Sequence, residues 1–346
     1  MRLPCREQAR PLRIPPPQGT KRPMQVLSPW AILPLWCNSL LGIGMNAAAA
    51  LPLIIALTLL IGRRAQARFC AYGASRLAGL AFGLSWLGLP VMLGSLYGLL
   101  SGLRAAGHNM TDISFGSPAM LSYSLPLLLW LTGIICAGLL RRASAGAPLP
   151  PRRRPQEDRY TTSMINGRLW LCGLTALCLF STYVLRDWPF IALPPGMDLG
   201  QAATAVFSNA LHKYFMAFAP AGALALLFLL RARRGAAAAG FDEVQTALAT
   251  RWCALWATVG YIPFCLDRWG IILGYLLRGT PPDWLLAQVY ALIPLTAAVA
   301  CWGTLLGMAN PLRRSWLIGL GVALLALGES LPSILMLSAW FAQSAF

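Results

Sequence analysis

Charge is what this sequence has least of. Only 11% of its 346 residues are Asp, Glu, Lys or Arg, and 11 of them are acidic. Soluble domains carry roughly a quarter charged residues. Less than half that share, with a mean hydropathy of +0.61, excludes an ordinary soluble globular fold. Histidine is nearly missing too, with His108 and His212 the two in the chain. The nine cysteines include no CxxC pair and most lie within apolar runs. That argues against a zinc or disulfide framework and leaves thiols acting as small hydrophobes. No Walker A loop, GxGxxG turn, HExxH pair or serine nucleophile elbow is present, so the chemistry of soluble enzymes has no foothold here.

What is abundant is long apolar sequence. A spanning helix needs roughly 20 mainly apolar residues. Eight segments qualify, at 36–62, 77–101, 118–140, 169–185, 208–230, 252–277, 285–308 and 315–341. The fold class expected is therefore an all-α, polytopic membrane bundle of about eight helices. A net charge of +17 would suggest nucleic acid in a soluble chain. Here the basic residues cluster between apolar spans, which is a topology signal instead, and no nucleic-acid partner is expected.

The loops differ sharply in that signal. Seventeen arginines fall on one side, from Arg63 and Arg64 through Arg141, Arg142, Arg152–Arg154, Arg231–Arg234 and Arg251 to Arg313 and Arg314; the other side has Arg104, Arg186, Lys213 and Arg278. The arginine-rich side is expected to be cytoplasmic and both termini periplasmic, in a bacterial inner membrane. The first 23 residues, with Arg2, Arg6, Arg10, Arg13, Lys21 and Arg22, disagree with that placement. Three readings are open: an extra short span over 26–44, an interfacial helix there, or a true start at Met24. The last is favoured, because a chain from Met24 carries no charge before its first cytoplasmic arginines.

The segments "NSLLGIGMNAAAALPLIIALTLLIGRR" (38–64) and "NALHKYFMAFAPAGALALLFLLRARR" (209–234) align from their asparagines. Met45 then falls on Met216, and both end in an arginine doublet. Each is followed by a short basic loop and a helix opening at an arginine, Arg76 or Arg251. Spans 1–4 and 5–8 thus read as two parallel four-helix repeats. The organisation expected is a basic, proline-rich tail (1–25) and a first membrane half with spans 1–3 (26–140). A cytoplasmic basic linker (141–168) follows, then span 4 with its outer loop (169–207), and the second half with spans 5–8 (208–346). The linker's "RRASAGAPLPPRRRPQEDR" cannot bury a core and suits anionic lipid headgroups.

Three charges stand inside the spans. Asp267 and Arg268 lie just past the middle of span 6, and Glu329 is central in span 8. Adjacent helical residues point about 100° apart, so Arg268 is expected to pair with Glu329 while Asp267 faces a cavity or water. Pro263 and Pro332 free the carbonyls of Val259 and Gly328 nearby. Such carbonyls are tolerated at membrane depth only where protein or water satisfies them. An intramembrane charge costs roughly 2.5–3.5 kcal/mol on insertion scales, which favours a functional cluster over idle ones; a structural salt bridge has the same sequence signature. His108 reads as a solvated loop residue. His212, beside Lys213 about one turn inside the outer end of span 5, is a candidate haem ligand or proton carrier for a quinol, or an interfacial anchor. Tryptophans near span ends read as an interfacial belt.

Two stretches, "RLAGLAFGLSWLGLPVMLGSLYG" (76–98) and "NALHKYFMAFAPAGALALLFLL" (209–230), resemble the cytochrome bd quinol oxidase subunit I-like family. The resemblance covers about a fifth of the chain. It implies a helical bundle, haem b on the outer side with His212 as an axial ligand, quinol as electron donor and a redox partner protein. The chain departs from the family where the repeat alignment asks for a second histidine: Leu41 stands there. A bis-histidine haem is thereby excluded, and a His/Met site would need a methionine such as Met45 or Met216. Three functions follow: a quinol-linked membrane subunit of an electron-transfer complex; a transporter or proton-conducting subunit using Asp267, Arg268 and Glu329; or a non-catalytic membrane anchor.

Overall fold

The computed structural model describes residues 29–62, 67–105, 118–145, 158–187, 198–238, 243–279 and 284–344. The tail expected at 1–25 with its Met24 start, His108 and the middle of the basic linker lie outside these residues. Nine α-helices are described: α1 (Pro29–Gly62), α2 (Ala67–Ala105), α3 (Pro118–Ala145), α4 (Asp158–Asp187), α5 (Leu199–Met216), α6 (Phe218–Ala238), α7 (Glu243–Leu277), α8 (Trp284–Gly307) and α9 (Ser315–Ser344). A short 3-10 turn, Pro311–Arg314, joins the last two. There is no strand among the described residues.

Seven stretches among the described residues are long and apolar enough to cross a membrane. Six correspond to α1, α2, α3, α4, α8 and α9, and the seventh, Leu199–Leu230, runs through α5 and α6. The eighth expected span, α7, has 35 residues but is too polar along its length to qualify on composition alone. It packs against α6 on one side and α8 on the other.

The helices form two rings of four. In the first, α1 packs on α2, α2 on α3, α3 on α4, and α4 returns to α1. In the second, the same order joins α6, α7, α8 and α9, with α9 returning to α6. The rings meet through α1 and α6, the two helices that the aligned segments identify as equivalent. These are also the two most enclosed spans: 61% of Ser39–Leu60 and 56% of Leu199–Leu230 is buried, against 33–39% for the rest. The residues explain why. Lipid tails are as apolar as leucine, so helices associate where small side chains let backbones approach. Ala47–Ala50 of α1 and Ala219, Ala221, Ala223 and Ala225 of α6 are almost wholly buried.

At the α6–α7 crossing the approach is closest. A β-carbon on Gly222 would lie 2.4 Å from the Ala257 nitrogen, and one on Gly260 would lie 2.5 Å from the Ala219 nitrogen. Only glycine permits backbones that near. Several threonine hydroxyls in the spans bond within their own helices: Thr58, Thr182, Thr258 and Thr296 each donate to the carbonyl four residues back, at 2.7–3.1 Å. With no water in the hydrocarbon, this local bond is the available one.

Two boundaries differ from the sequence reading. The linker expected over 141–168 is mostly helix, because α3 runs to Ala145 and α4 starts at Asp158. Buried Arg168 holds the α3 end, its Nε–H donating to the Ala143 carbonyl at 3.1 Å. Span 5, expected from 208, begins earlier. Asp198 caps α5, accepting from the Gln201 amide at 2.7 Å while the Gln201 side chain accepts from the Asp198 amide at 3.3 Å. That capping box satisfies two helix-end donors. Helices α5 and α6 are nearly continuous, meeting at Ala217. Pro220 lacks the N–H that would bond the Met216 carbonyl, which is the ordinary cause of such a break.

Candidate functional site

The seam between the rings carries a cavity of about 390 Å³. Its lining comes from five helices and both halves: Asn46 of α1, Tyr183 and Arg186 of α4, Lys213 and Met216 of α5, Tyr261 of α7 and Glu329 of α9. Arg186 and Lys213 are exposed, Tyr183 and Tyr261 are buried, and Glu329 is half-buried between. The site is thus a half-enclosed pocket with cations on its open side and a carboxylate among tyrosines further in.

Each inner residue is placed by a specific local feature. Tyr261 follows Gly260, which is pressed against Ala219 of α6. Glu329 follows Gly328, where an added β-carbon would lie 2.5 Å from Leu295 Cγ and 3.0 Å from the Ala291 carbonyl oxygen of α8. Both members of the pair therefore sit one residue after a glycine contact, which fixes their helices' rotation. Within the second ring the Tyr261 hydroxyl of α7 donates to Glu329 Oε1 of α9. On the opposite wall the Tyr183 hydroxyl donates to Asn46 Oδ1 at 2.6 Å. Tyr214, just behind, donates to the Ala49 carbonyl at 3.0 Å, bolting α5 to α1. Behind the cavity the aromatics continue edge to face from Tyr183 to Tyr214 and Phe218 (6.3 and 5.8 Å), then through a tilted contact to Trp256 (5.1 Å) and edge to face again to Trp252 (5.4 Å). Trp252 ends the row with its Nε1–H on Thr58 Oγ1 at 2.9 Å.

The structure separates the sequence candidates. Glu329 and Lys213 come together in the cavity lining; Asp267, Arg268 and His212 are not part of it. The expected Arg268–Glu329 pair does not form. Arg268 is on nearly the same face of α7 as Tyr261 but two turns further along, about 10 Å by helical rise, so the tyrosine takes the carboxylate. Arg268 instead lies with its Nε 4.0 Å from Asp267 Oδ2 and its guanidinium 5.4 Å from the Phe264 ring centroid. Asp267, expected to face a cavity or a water, stands 58% exposed on the outer surface of the bundle.

His212 stands exposed on α5, its ring 6.3 Å from that of Phe264. Lys213 follows it by about 100° around the helix and so turns to the cavity. Haem b needs an enclosed, apolar cleft around its axial ligand, and an exposed imidazole beside one phenyl ring does not supply it. Met45 is buried in the core and Met216 lines the cavity, so neither completes a site on His212's exposed face. Among the described residues no three His, Cys, Asp or Glu side chains converge as metal ligands.

Asn46, Tyr183, Arg186 and Tyr261 line the cavity and were not among the candidates of the sequence reading. A signal existed for two of them. Asn46 is the one amide in "GIGMNAAAALPLIIALTLL", and Tyr261 stands two residues before the span's proline. Compared with protein-family models, curated proteins and solved structures, the chain matches none. The cavity and the two-ring membrane bundle are therefore the ground on which a function has to be argued.

Proposed function

We propose that the protein is a membrane transport protein that takes a small anionic solute, together with a proton, into the cavity between its two rings. One observation carries this reading: a single pocket, built from both halves, joins two cations to an intramembrane carboxylate. Repeat-built transporters commonly bind their solute at the repeat interface near mid-membrane. An ionisable residue at such depth is a functional candidate by default. The electrostatics suit co-binding. Arg186 and Lys213 attract an anion to the open side, while ionised Glu329 repels it from the inner side. Protonating Glu329 removes its negative charge from the lining, so anion and proton favour each other's entry. Tyr261 and Tyr183 supply neutral groups that orient whatever arrives. With the arginine-rich loops inside a bacterial membrane, the cavity opens outward, since Arg186 and Lys213 belong to the opposite side.

The test is proteoliposomes loaded with a pH-sensitive dye and offered small carboxylates, dicarboxylates and phosphate. At least one anion should acidify the lumen; Glu329→Gln should abolish that acidification, and Lys213→Gln should weaken anion entry. A panel that gives no acidification above protein-free vesicles would reject the reading. Quinol-linked electron transfer with His212 on a haem is left aside, because exposed His212 lies outside the cavity. An oxidised-minus-reduced visible spectrum of the purified protein checks it directly.

A further inference from the structure

The second feature is on the outside of the bundle. Along α7, Pro263, Asp267, Gly270 and Gly274 fall at successive spacings of four, three and four, which places them on one face. Pro263, Asp267 and Gly270 are exposed and Gly274 partly so, flanked by exposed Leu266 and Leu273. A β-carbon added to Gly270 or to Gly274 would meet nothing within 4 Å. These two glycines are therefore not packing glycines of this fold, unlike Gly260 nearer the start of the same helix, which is pressed against Ala219 of α6. They form a G-x-x-x-G step, the pattern that lets two transmembrane backbones meet closely. Beside it Asp267 is more than half exposed, about 24 Å of helical rise beyond Arg251 and about 16 Å short of Arg278, well inside the helix rather than at either end.

The neighbouring charge does not settle Asp267. Arg268 Nε is 4.0 Å away, at the limit of an ion pair, and that nitrogen has no hydrogen-bond partner. The Arg268 side chain leaves from the helix about 100° around and is drawn over Phe264. A carboxylate on a lipid-facing surface is costly unless protein covers it.

We infer that this face of α7 docks the transmembrane helix of a different protein, one that carries a lysine or arginine at the depth of Asp267. Charge complementarity selects that occupant. A second copy packed on the same face by a two-fold axis would set Asp267 against Asp267, like against like. Lipid would leave the acid with no partner beyond the 4.0 Å approach of Arg268 Nε. A basic partner helix seats its backbone in the glycine step and places its cation on the carboxylate. This does not depend on the transport reading, since the face and the cavity share no residue.

The experiment uses the full chain in liposomes, donor-labelled through a terminal tag. It is mixed with acceptor-labelled Leu/Ala transmembrane peptides that carry either one central lysine or leucine at that position. Energy transfer should be several-fold higher to the lysine peptide. It should fall to the leucine-peptide level in Asp267→Asn and in Gly270→Leu. Both variants keep the fold, because Asn is isosteric and Gly270 has open space; unchanged thermal unfolding checks this. Equal transfer to both peptides, or transfer that both variants leave intact, overturns the inference. Transfer between labelled copies of the protein that Gly270→Leu abolishes also overturns it, by assigning the face to a second copy.

Discussion

Replacing Gly222 by alanine is the sharpest probe of the fold that positions the site. The new methyl carbon would lie 2.4 Å from the Ala257 nitrogen, 2.7 Å from the Cys253 oxygen and 2.9 Å from Ala257 Cα. Carbon contacts are comfortable only at about 3.5–4.0 Å, so α6 and α7 would have to separate by about 1 Å. The obstacles are backbone atoms, which cannot rotate aside. Overpacking of this kind costs about 1–3 kcal/mol, and the Gly-to-Ala gain in helix propensity returns about 0.8–1.0 kcal/mol. The net expectation is a loss of up to about 2 kcal/mol for Gly222→Ala. Gly274→Ala, with no atom within 4 Å of the added carbon, should gain up to about 1 kcal/mol from the same propensity term. Thermal unfolding of the two variants in detergent reads the difference as opposite signs. The displaced crossing should also shift Tyr261 away from Glu329, weakening transport in Gly222→Ala and not in Gly274→Ala. If the two alanine variants are equally stable, the helices are not in backbone contact at Gly222, and the placement of Tyr261 loses its basis.

Other consequences follow from the same packing. Trp130 and Trp302 are both fully enclosed, but Trp130 Nε1–H donates to the Ser85 carbonyl at 2.8 Å whereas Trp302 Nε1 has no partner. Trp130→Phe should therefore be about 0.5–1.5 kcal/mol more destabilising than Trp302→Phe in chemical unfolding, the net worth of one hydrogen bond. Arg251 closes the end of α8, its Nε and Nη2 on the Met308 carbonyl at 2.9 and 2.5 Å and Nη2 on Ala309 at 3.3 Å. Arg251→Met should cost about 1.5–3 kcal/mol, and Lys should restore little of it because it lacks the planar fork; thermal unfolding of the pair tests both. His212→Leu should leave stability and anion-driven acidification near wild type, since the side chain is exposed and outside the cavity; loss of either would restore a role for the imidazole.

The sequence by itself determined the solvent of this protein and the order of its helices. Transfer of a residue from water to hydrocarbon is nearly a property of that residue, so it adds along the chain and can be read in one dimension. The aligned segments 38–64 and 209–234 run through α1 and through the end of α5 into α6, and α1 and α6 are helices on which the two rings meet. Two residues of the cavity lining were legible as candidates: Glu329 as an ionisable group in the middle of an apolar run, and Lys213 as the cation beside His212. Their partners were not legible in that way. Tyr261, Tyr183 and Asn46 look like ordinary interior residues until five helices bring them to one seam, and Arg268 looks like the natural mate of Glu329 until its two-turn offset is seen. Which faces meet depends on helix rotation and crossing depth, and these are set by where glycines such as Gly222, Gly260 and Gly328 let backbones touch. Tertiary packing alone made that choice, placing Glu329 in a pocket and leaving Asp267 on the outer face.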